Sequence, residues 1–180
     1  MGAPKTNHLI WLDMEMTGLD PETCVPVEVA IIVTDADLEE KDRYAAVIHQ
    51  GEGALTSMND FVRKMHTDNG LLDKVRDSKT TLEEADSALA EIVAKHCPEG
   101  DAVLAGNSIH QDRRFIARYF PQLEKRLHYR MVDVSTLKEL VRRWFGEDAL
   151  YVKPESDHTA LADTRQSIAE LAFYRKNHFR

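Results

Sequence analysis

Asp13 and Glu15 stand two residues apart at the end of the apolar stretch from His8 to Glu15, so in an extended strand they share one face. Leu9 and Trp11 precede them on that face. Carboxylates that continue an apolar row at a strand's end suit a divalent cation, which wants several oxygen ligands on rigid positions. The triplet Asp-x-Glu occurs three times, starting at Asp13, Asp20 and Asp37, and only the first lies in an apolar run. A solvated strand end would carry the same two acids. Asp112 falls inside a helical apolar stripe of Ile109, Ile116, Tyr119 and Phe120. A buried carboxylate there needs either one of the neighbouring arginines or a cation. His158 and Asp163 form a His-x4-Asp pair near the start of the last predicted helix, a spacing shared by His8–Asp13 and His128–Asp133. Asp163 lies off the predicted stripe of Leu161, Ile168 and Ala172, and a solvated acid favourable to the helix dipole would look the same. Taken jointly, these are four carboxylates and one imidazole. Four clustered acids repel unless cations neutralise them. Two divalent cations about 3.5–4 Å apart can activate a water and stabilise the leaving oxygen of a phosphodiester. Histidine is the natural proton acceptor for that water near neutral pH.

The elements that must position these groups read as strands first and helices later. Strands are predicted from His8 to Glu15, Val27 to Thr34 and Arg43 to Gln50, with turns at Gly18-Leu19-Asp20-Pro21 and from Asp35 to Leu38. Thr81 and Glu84 form a capping box that opens a helix with the stripe Leu82, Ala85, Leu89, Ile92 and Val93. Cys97-Pro98-Glu99-Gly100 stops it, and Ala102 to Gly106 is a buried strand. Ser108 is expected to cap a helix that runs to about Phe120 and is halted by Pro121. Met131 to Asp133 is the last predicted strand. Helices follow from Ser135 to about Trp144 and from about Thr159 to Asn177. This order predicts an α/β fold with a mixed five-stranded sheet flanked by helices. No repeat or linker interrupts it, so a single domain spans 1–180 with an ordered core from about 8 to 177.

Composition narrows the class of partner. In 180 residues the net charge is −8, yet Arg113 to Arg143 carries nine Lys/Arg against three Asp/Glu, a local +6 that leaves −14 elsewhere. That split suits a local grip on a small anion and does not suit a protein that coats long duplexes; a solvated basic helix face would give it too. No apolar run reaches the ~20 residues of a membrane span, and the N-terminus lacks a signal-peptide stretch. Cys24 and Cys97 have no metal-ligand spacing and read as reduced thiols. A cytoplasmic protein without a membrane partner is expected.

Three stretches carry a resemblance: Leu9-Ile-Trp-Leu-Asp-Met-Glu-Met-Thr-Gly-Leu-Asp-Pro21, Gly106-Asn-Ser-Ile-His-Gln-Asp-Arg-Arg-Phe115 and His128-Tyr-Arg-Met-Val-Asp-Val-Ser-Thr-Leu-Lys-Glu-Leu140. With His158-Thr-Ala-Leu-Ala-Asp163 and Glu170-Leu-Ala-Phe-Tyr174, the chain resembles the oligoribonucleases, in the DEDDh branch of the 3′→5′ exonucleases. The resemblance implies a ribonuclease H-like fold and a homodimer. It implies hydrolysis of RNA from dinucleotides up to a few residues, to 5′-mononucleotides, with two Mg²⁺ or Mn²⁺ ions. By the same resemblance Asp13 bridges both metals, Glu15 and Asp163 complete the ligand set, Asp112 joins directly or through water, and His158 is the general base. Leu19 would stack on a base and His66 would lie beside the substrate. Asn107 belongs to the substrate set. Ser108 of one subunit, with Tyr129, Arg130, Ser135 and Thr136 of the other, would hold the 5′ phosphate. Helix-opening Ser135 and Thr136 and the guanidinium of Arg130 have the right chemistry for that anion, whereas Tyr129 alone reads equally as a core or interface aromatic. Three features depart from the family pattern. Phe61 stands where Trp is usual, Cys24-Val25-Pro26-Val27 replaces an apolar lead-in to Glu28, and Tyr151 to Asp157 lacks a glycine. All five acidic and histidine positions are filled, which counts against a catalytically silent module.

Overall fold

Alternation along β1 (Leu9–Met16) divides the molecule in two. Ile10, Leu12 and Met14 point into one core, and Trp11 points into the other, where Leu9 packs beside it. The computed structural model describes residues 2–154 and 159–179, so His158 lies outside the described residues. The sheet also contains β2 (Pro26–Thr34), β3 (Glu40–Val47), β4 (Ala102–Gly106) and β5 (Leu127–Asp133), in the order β3-β2-β1-β4-β5. β1 pairs antiparallel with β2 and parallel with β4, and β5 extends the parallel half. This is the expected mixed five-stranded sheet flanked by helices.

The larger core places Ala85, Leu89, Ile92 and Val93 of α4 (Leu82–His96) and Phe115 and Ile116 of α5 (His110–Tyr119) on one face. Val134 and Val141 of α7 (Val134–Phe145) and Tyr174 of α8 (Ala160–His178) cover the other, around Trp11. The Trp11 indole donates to Thr34 Oγ1 at 2.9 Å, so its buried N–H is satisfied. The predicted capping box at Thr81 and Glu84 is formed.

Several expectations need correction. The third strand is Glu40–Val47, three residues earlier than the apolar pattern indicated. Asp35 Oδ1 accepts the amides of Asp37 (2.9 Å) and Glu39 (3.0 Å), so the turn closes early and pairing starts among the charged residues of an edge strand. The stretch after it folds into α1 (Glu52–Thr56), α2 (Asp60–Asp68) and α3 (Leu71–Asp77), each too short to show a clear period. Ser108 caps no helix. It adopts φ +50°, and α5 starts after Ile109 without a side-chain cap. Pro121 both ends α5 and opens α6 (Pro121–Arg126) at its first turn, where a missing amide hydrogen is harmless. The fifth strand starts at Leu127 instead of Met131.

The misread face of α8 matters most. Leu161 and Ile168 are only half-buried, whereas Ala160, Thr164, Ser167, Glu170 and Tyr174 are the buried positions. Small and polar residues let this helix lie close across β1 and β2, so hydrophobicity did not mark its inner side. Asp163 belongs to that inner side, three residues after Ala160 and four before Ser167.

Candidate active site

Asp13 and Glu15 follow Trp11 on the β1 face that α8 covers, and Asp163 comes down from the first turns of α8. Ligand oxygens of these three carboxylates all lie within 4.8 Å of one another. Asp112 arrives from α5 on the other side of β1. β4 pairs with β1 only through Trp11, so the Met14 amide beyond it needs another acceptor, and Asp112 Oδ1 takes it at 3.0 Å. None of the neighbouring arginines pairs with Asp112. Arg113 binds Glu124, Arg114 reaches the Leu19 carbonyl, and Arg118 binds Glu22. The approach of α5 depends on Gly106, because a Cβ there would sit 2.8 Å from the Leu12 carbonyl and 2.9 Å from Ile109 Cδ1.

A fifth carboxylate, Glu28, stands opposite Glu15 in the β1–β2 register. Its Oε2 accepts the Ala160 amide at 3.1 Å. The sequence reading gave Glu28 no role. An antiparallel register pairing two glutamates was the available signal, but it exists only once the hairpin is built.

Electrostatics mark the cluster. Burial, then Asp112, Glu15, Asp163 and Glu28, push the Asp13 carboxyl well above the usual range. Burial, then Glu28, Asp163 and Asp112, push Glu15 up to about 8. Asp112 is pushed up to about 7 by burial and Asp133, against the pull of the Met14 amide and its own backbone amide. Glu28 is raised by burial and held back by the Ala160 amide, Lys74 and His66. Without a cation these carboxyls hold their protons to higher pH than free carboxyls do, as expected of carboxylates gathered for a metal ion. An all-oxygen donor set with this charge fits a hard divalent cation.

His66 has no solvent exposure. Its Nε2 lies 3.0 Å from the Met16 carbonyl, which can only accept, so Nε2 carries the proton. Nδ1 then faces Glu15 Oε2 at 4.0 Å and has no hydrogen-bond partner among the described residues. His66 thus stands behind Glu15. Leu19 is 67% exposed on the β1–β2 loop, which is held by Arg114 at the Leu19 carbonyl (3.3 Å) and by the Tyr119 hydroxyl at the carbonyls of Pro21 (3.0 Å) and Cys24 (2.8 Å). Phe61, on α2, is 77% exposed.

The residues expected at the 5′ phosphate form a second group. Within one chain, Ser108 and Ser135 meet, with Oγ atoms 3.2 Å apart and the Ser108 amide donating to Ser135 Oγ at 3.0 Å. The Ser135 amide at the start of α7 is already taken by Asp133 Oδ1 at 2.9 Å, which also accepts the Ser108 amide at 3.0 Å. Asn107 is engaged internally, donating to Ser167 Oγ (2.9 Å) and Glu170 Oε2 (3.1 Å) and accepting from Ser135 Oγ (3.1 Å). Thr136 is exposed beside them. Arg130 lies over the exposed Tyr129 ring at 5.4 Å and makes no ion pair among the described residues.

A mixed sheet whose central strand brings its carboxylates against a terminal helix defines a metal-dependent nuclease of the exonuclease class, and a family model described as exonuclease matches residues 10–171. The solved structure of exonuclease I from Methylocaldum szegediense superposes with a TM-score of 0.71 over 95% of this chain at 17% identity. The present chain spans 41% of that protein, so the likeness is one of fold. An oligoribonuclease of Chromobacterium violaceum is 48% identical over 97% of this chain and 97% of its own length. One of Photorhabdus laumondii is 48% identical over 96% and 97%. The chain belongs to the oligoribonuclease family.

Proposed function

We propose that this chain is a 3′→5′ exoribonuclease that hydrolyses short oligoribonucleotides, from dinucleotides up to a few residues, to 5′-mononucleotides. The observation that carries the reading is the convergence of Asp13, Glu15 and Asp163 within 4.8 Å, from elements about 150 positions apart in the sequence. Asp13, Glu15 and Asp163, with Asp112 directly or through water, would hold two divalent cations, Mg²⁺ or Mn²⁺. When bound, such a pair activates water and offsets the charge that develops on the leaving oxygen.

The chain's own groups supply the rest. His158 is assigned the proton of the attacking water. As the water oxygen bonds to phosphorus, the bond to the 3′ oxygen of the preceding nucleotide breaks and that oxygen takes up a proton. Leu19 offers an exposed apolar face to a base. His66, whose Nε2 donates to the Met16 carbonyl, stands behind Glu15 and is assigned a place beside the substrate. Ser108 of one subunit, with Tyr129, Arg130, Ser135 and Thr136 of the other, is assigned to the terminal 5′ phosphate, and Asn107 to the same substrate set. The guanidinium of Arg130, which lies over the Tyr129 ring and makes no ion pair among the described residues, supports that role. A homodimer reading is supported by the edge of β5 and the adjoining helix α7, where Tyr129, Met131, Trp144 and Phe145 are exposed and a second copy would cover them. Free thiols at Cys24 and Cys97 agree with a reducing, cytoplasmic setting. Among the described residues no helix is long and apolar enough to cross a membrane.

Hydrolysis of a 5′-phosphorylated RNA dinucleotide, with and without EDTA, tests this directly. The expected result is release of mononucleotides that EDTA abolishes and Mg²⁺ or Mn²⁺ restores, with rates falling from two to five to twenty nucleotides. Hydrolysis insensitive to EDTA, or equal rates at all lengths, would overturn it.

A further inference from the structure

Beyond the residues assigned to metal, base and substrate, Glu28 joins the two elements that must meet for the cluster to exist. It sits on β2 directly across from Glu15, and its Oε2 accepts the amide of Ala160, the first residue of α8, at 3.1 Å. The start of α8 has a second tie, Thr159 Oγ1 to the Ala162 amide at 3.3 Å, but that bond lies within the helix and moves with it. The Glu28 bond crosses from the sheet to the helix. It fixes how far along β1 the helix begins, and Asp163 is only three residues further on. A helix rises about 1.5 Å and turns about 100° per residue, so a slip of one residue would swing Asp163 out of the group whose ligand oxygens lie within 4.8 Å of one another.

A fifth carboxylate beside four others would be expected to be absent unless it had work that an apolar side chain could not do, since like charges repel at this range. The exposed surface offers other acceptors for an amide, but none among the described residues reaches this one from the sheet. We infer that Glu28 is a positioning residue that docks the first turn of α8 on β2 and thereby places Asp163 among the β1 carboxylates. The inference rests on the metal reading of the cluster.

Reach and charge separate this role from a simple electrostatic one. Glu28→Gln keeps an acceptor oxygen at the same distance and removes the charge. Glu28→Asp keeps the charge and withdraws the oxygen by one methylene. Two readouts are needed: Mn²⁺ binding by calorimetry on the metal-free full chain, and hydrogen exchange of the Ala160 amide. Outer supports of metal sites typically contribute 10–100-fold in affinity. Glu28→Asp is therefore expected to weaken Mn²⁺ binding at least about tenfold and to accelerate Ala160 exchange, whereas Glu28→Gln stays within about threefold of the parent and keeps Ala160 protected. Thr81→Ala, which removes a helix cap remote from the site, serves as the structural control and should leave Mn²⁺ binding unchanged. If Glu28→Gln lost as much affinity as Glu28→Asp, or if Glu28→Asp bound Mn²⁺ like the parent, the positioning role would be overturned. Failure of the parent chain to bind Mn²⁺ would instead overturn the metal reading, and Ala160 exchange would still decide whether Glu28 holds the helix.

Discussion

Two sets of carboxylates withdrawn from water behave in opposite ways. Asp86, on α4, accepts the amides of Gln122 (3.0 Å) and Leu123 (2.9 Å) and so caps α6. Asp101 takes the amides of Lys5 (2.9 and 2.7 Å) and Thr6 (2.9 Å), and Asp133 takes those of Ser108 and Ser135. Each of these acids is surrounded by donors. Asp13 and Glu15 meet other carboxylates instead, and among the described residues no hydrogen bond reaches their side chains; every influence on them raises their affinity for protons. Asp112 is intermediate, with the Met14 amide and its own backbone amide as donors and yet a carboxyl pushed up to about 7. Burial alone therefore does not mark a site. A buried acid supplied with amides belongs to the architecture, and one packed against other acids is kept for a cation.

The strongest test of that contrast removes one carboxylate from each side. Asp13→Asn should lower hydrolysis by about 10³-fold or more, because it removes charge where transition-state stabilisation depends on it. Its metal-free melting temperature should stay the same or rise, since a repelled carboxylate has gone. A variant that was active with Mg²⁺, or that had lost stability, would break the comparison. Asp86→Ala should do the reverse. Two buried amides lose a charged acceptor, at a cost of about 2–4 kcal/mol in urea unfolding, while kcat/KM of the surviving folded enzyme is unchanged. A loss of activity at full stability would show that Asp86 belongs with the other set.

The smallest effect is a slope. Glu15, pushed up to about 8, and Asp112, pushed up to about 7, bind protons more tightly in the folded chain than in the unfolded one, where carboxyls titrate near about 4. The folded state then holds more protons between those values, so metal-free stability should be greatest below about pH 4 for these groups and decline as pH rises towards 8. Saturating Mn²⁺ should flatten the decline and release protons on binding, measurable by melting curves and by calorimetry in buffers of different ionisation enthalpy. A metal-free stability that rose from pH 5 to pH 8 would contradict the crowding of Asp13, Glu15 and Asp112.

Much of this was written locally. The apolar run from Leu9 to Met14 and its two terminal acids specify a strand with a polar end, because alternation is a property of neighbouring residues. The Thr81–Glu84 capping box and the all-buried strand from Ala102 to Gly106 are local in the same sense. The inner face of α8 was not. Its buried residues are small or polar, so hydrophobic periodicity pointed to Leu161 and Ile168 and set Asp163 aside, and only packing across β1 and β2 turned Asp163 inward. Asp112 could be read as a buried acid, but its partner, the Met14 amide left free where β4 stops, comes from a strand 98 residues away. Glu28 became part of the site through strand register, and Ser108 and Ser135 became neighbours through the parallel pairing of β4 and β5. Local sequence determines which face a residue takes within its own element. Which elements then confront each other depends on close packing between distant segments, and that decided the charge environment in which these acids must work.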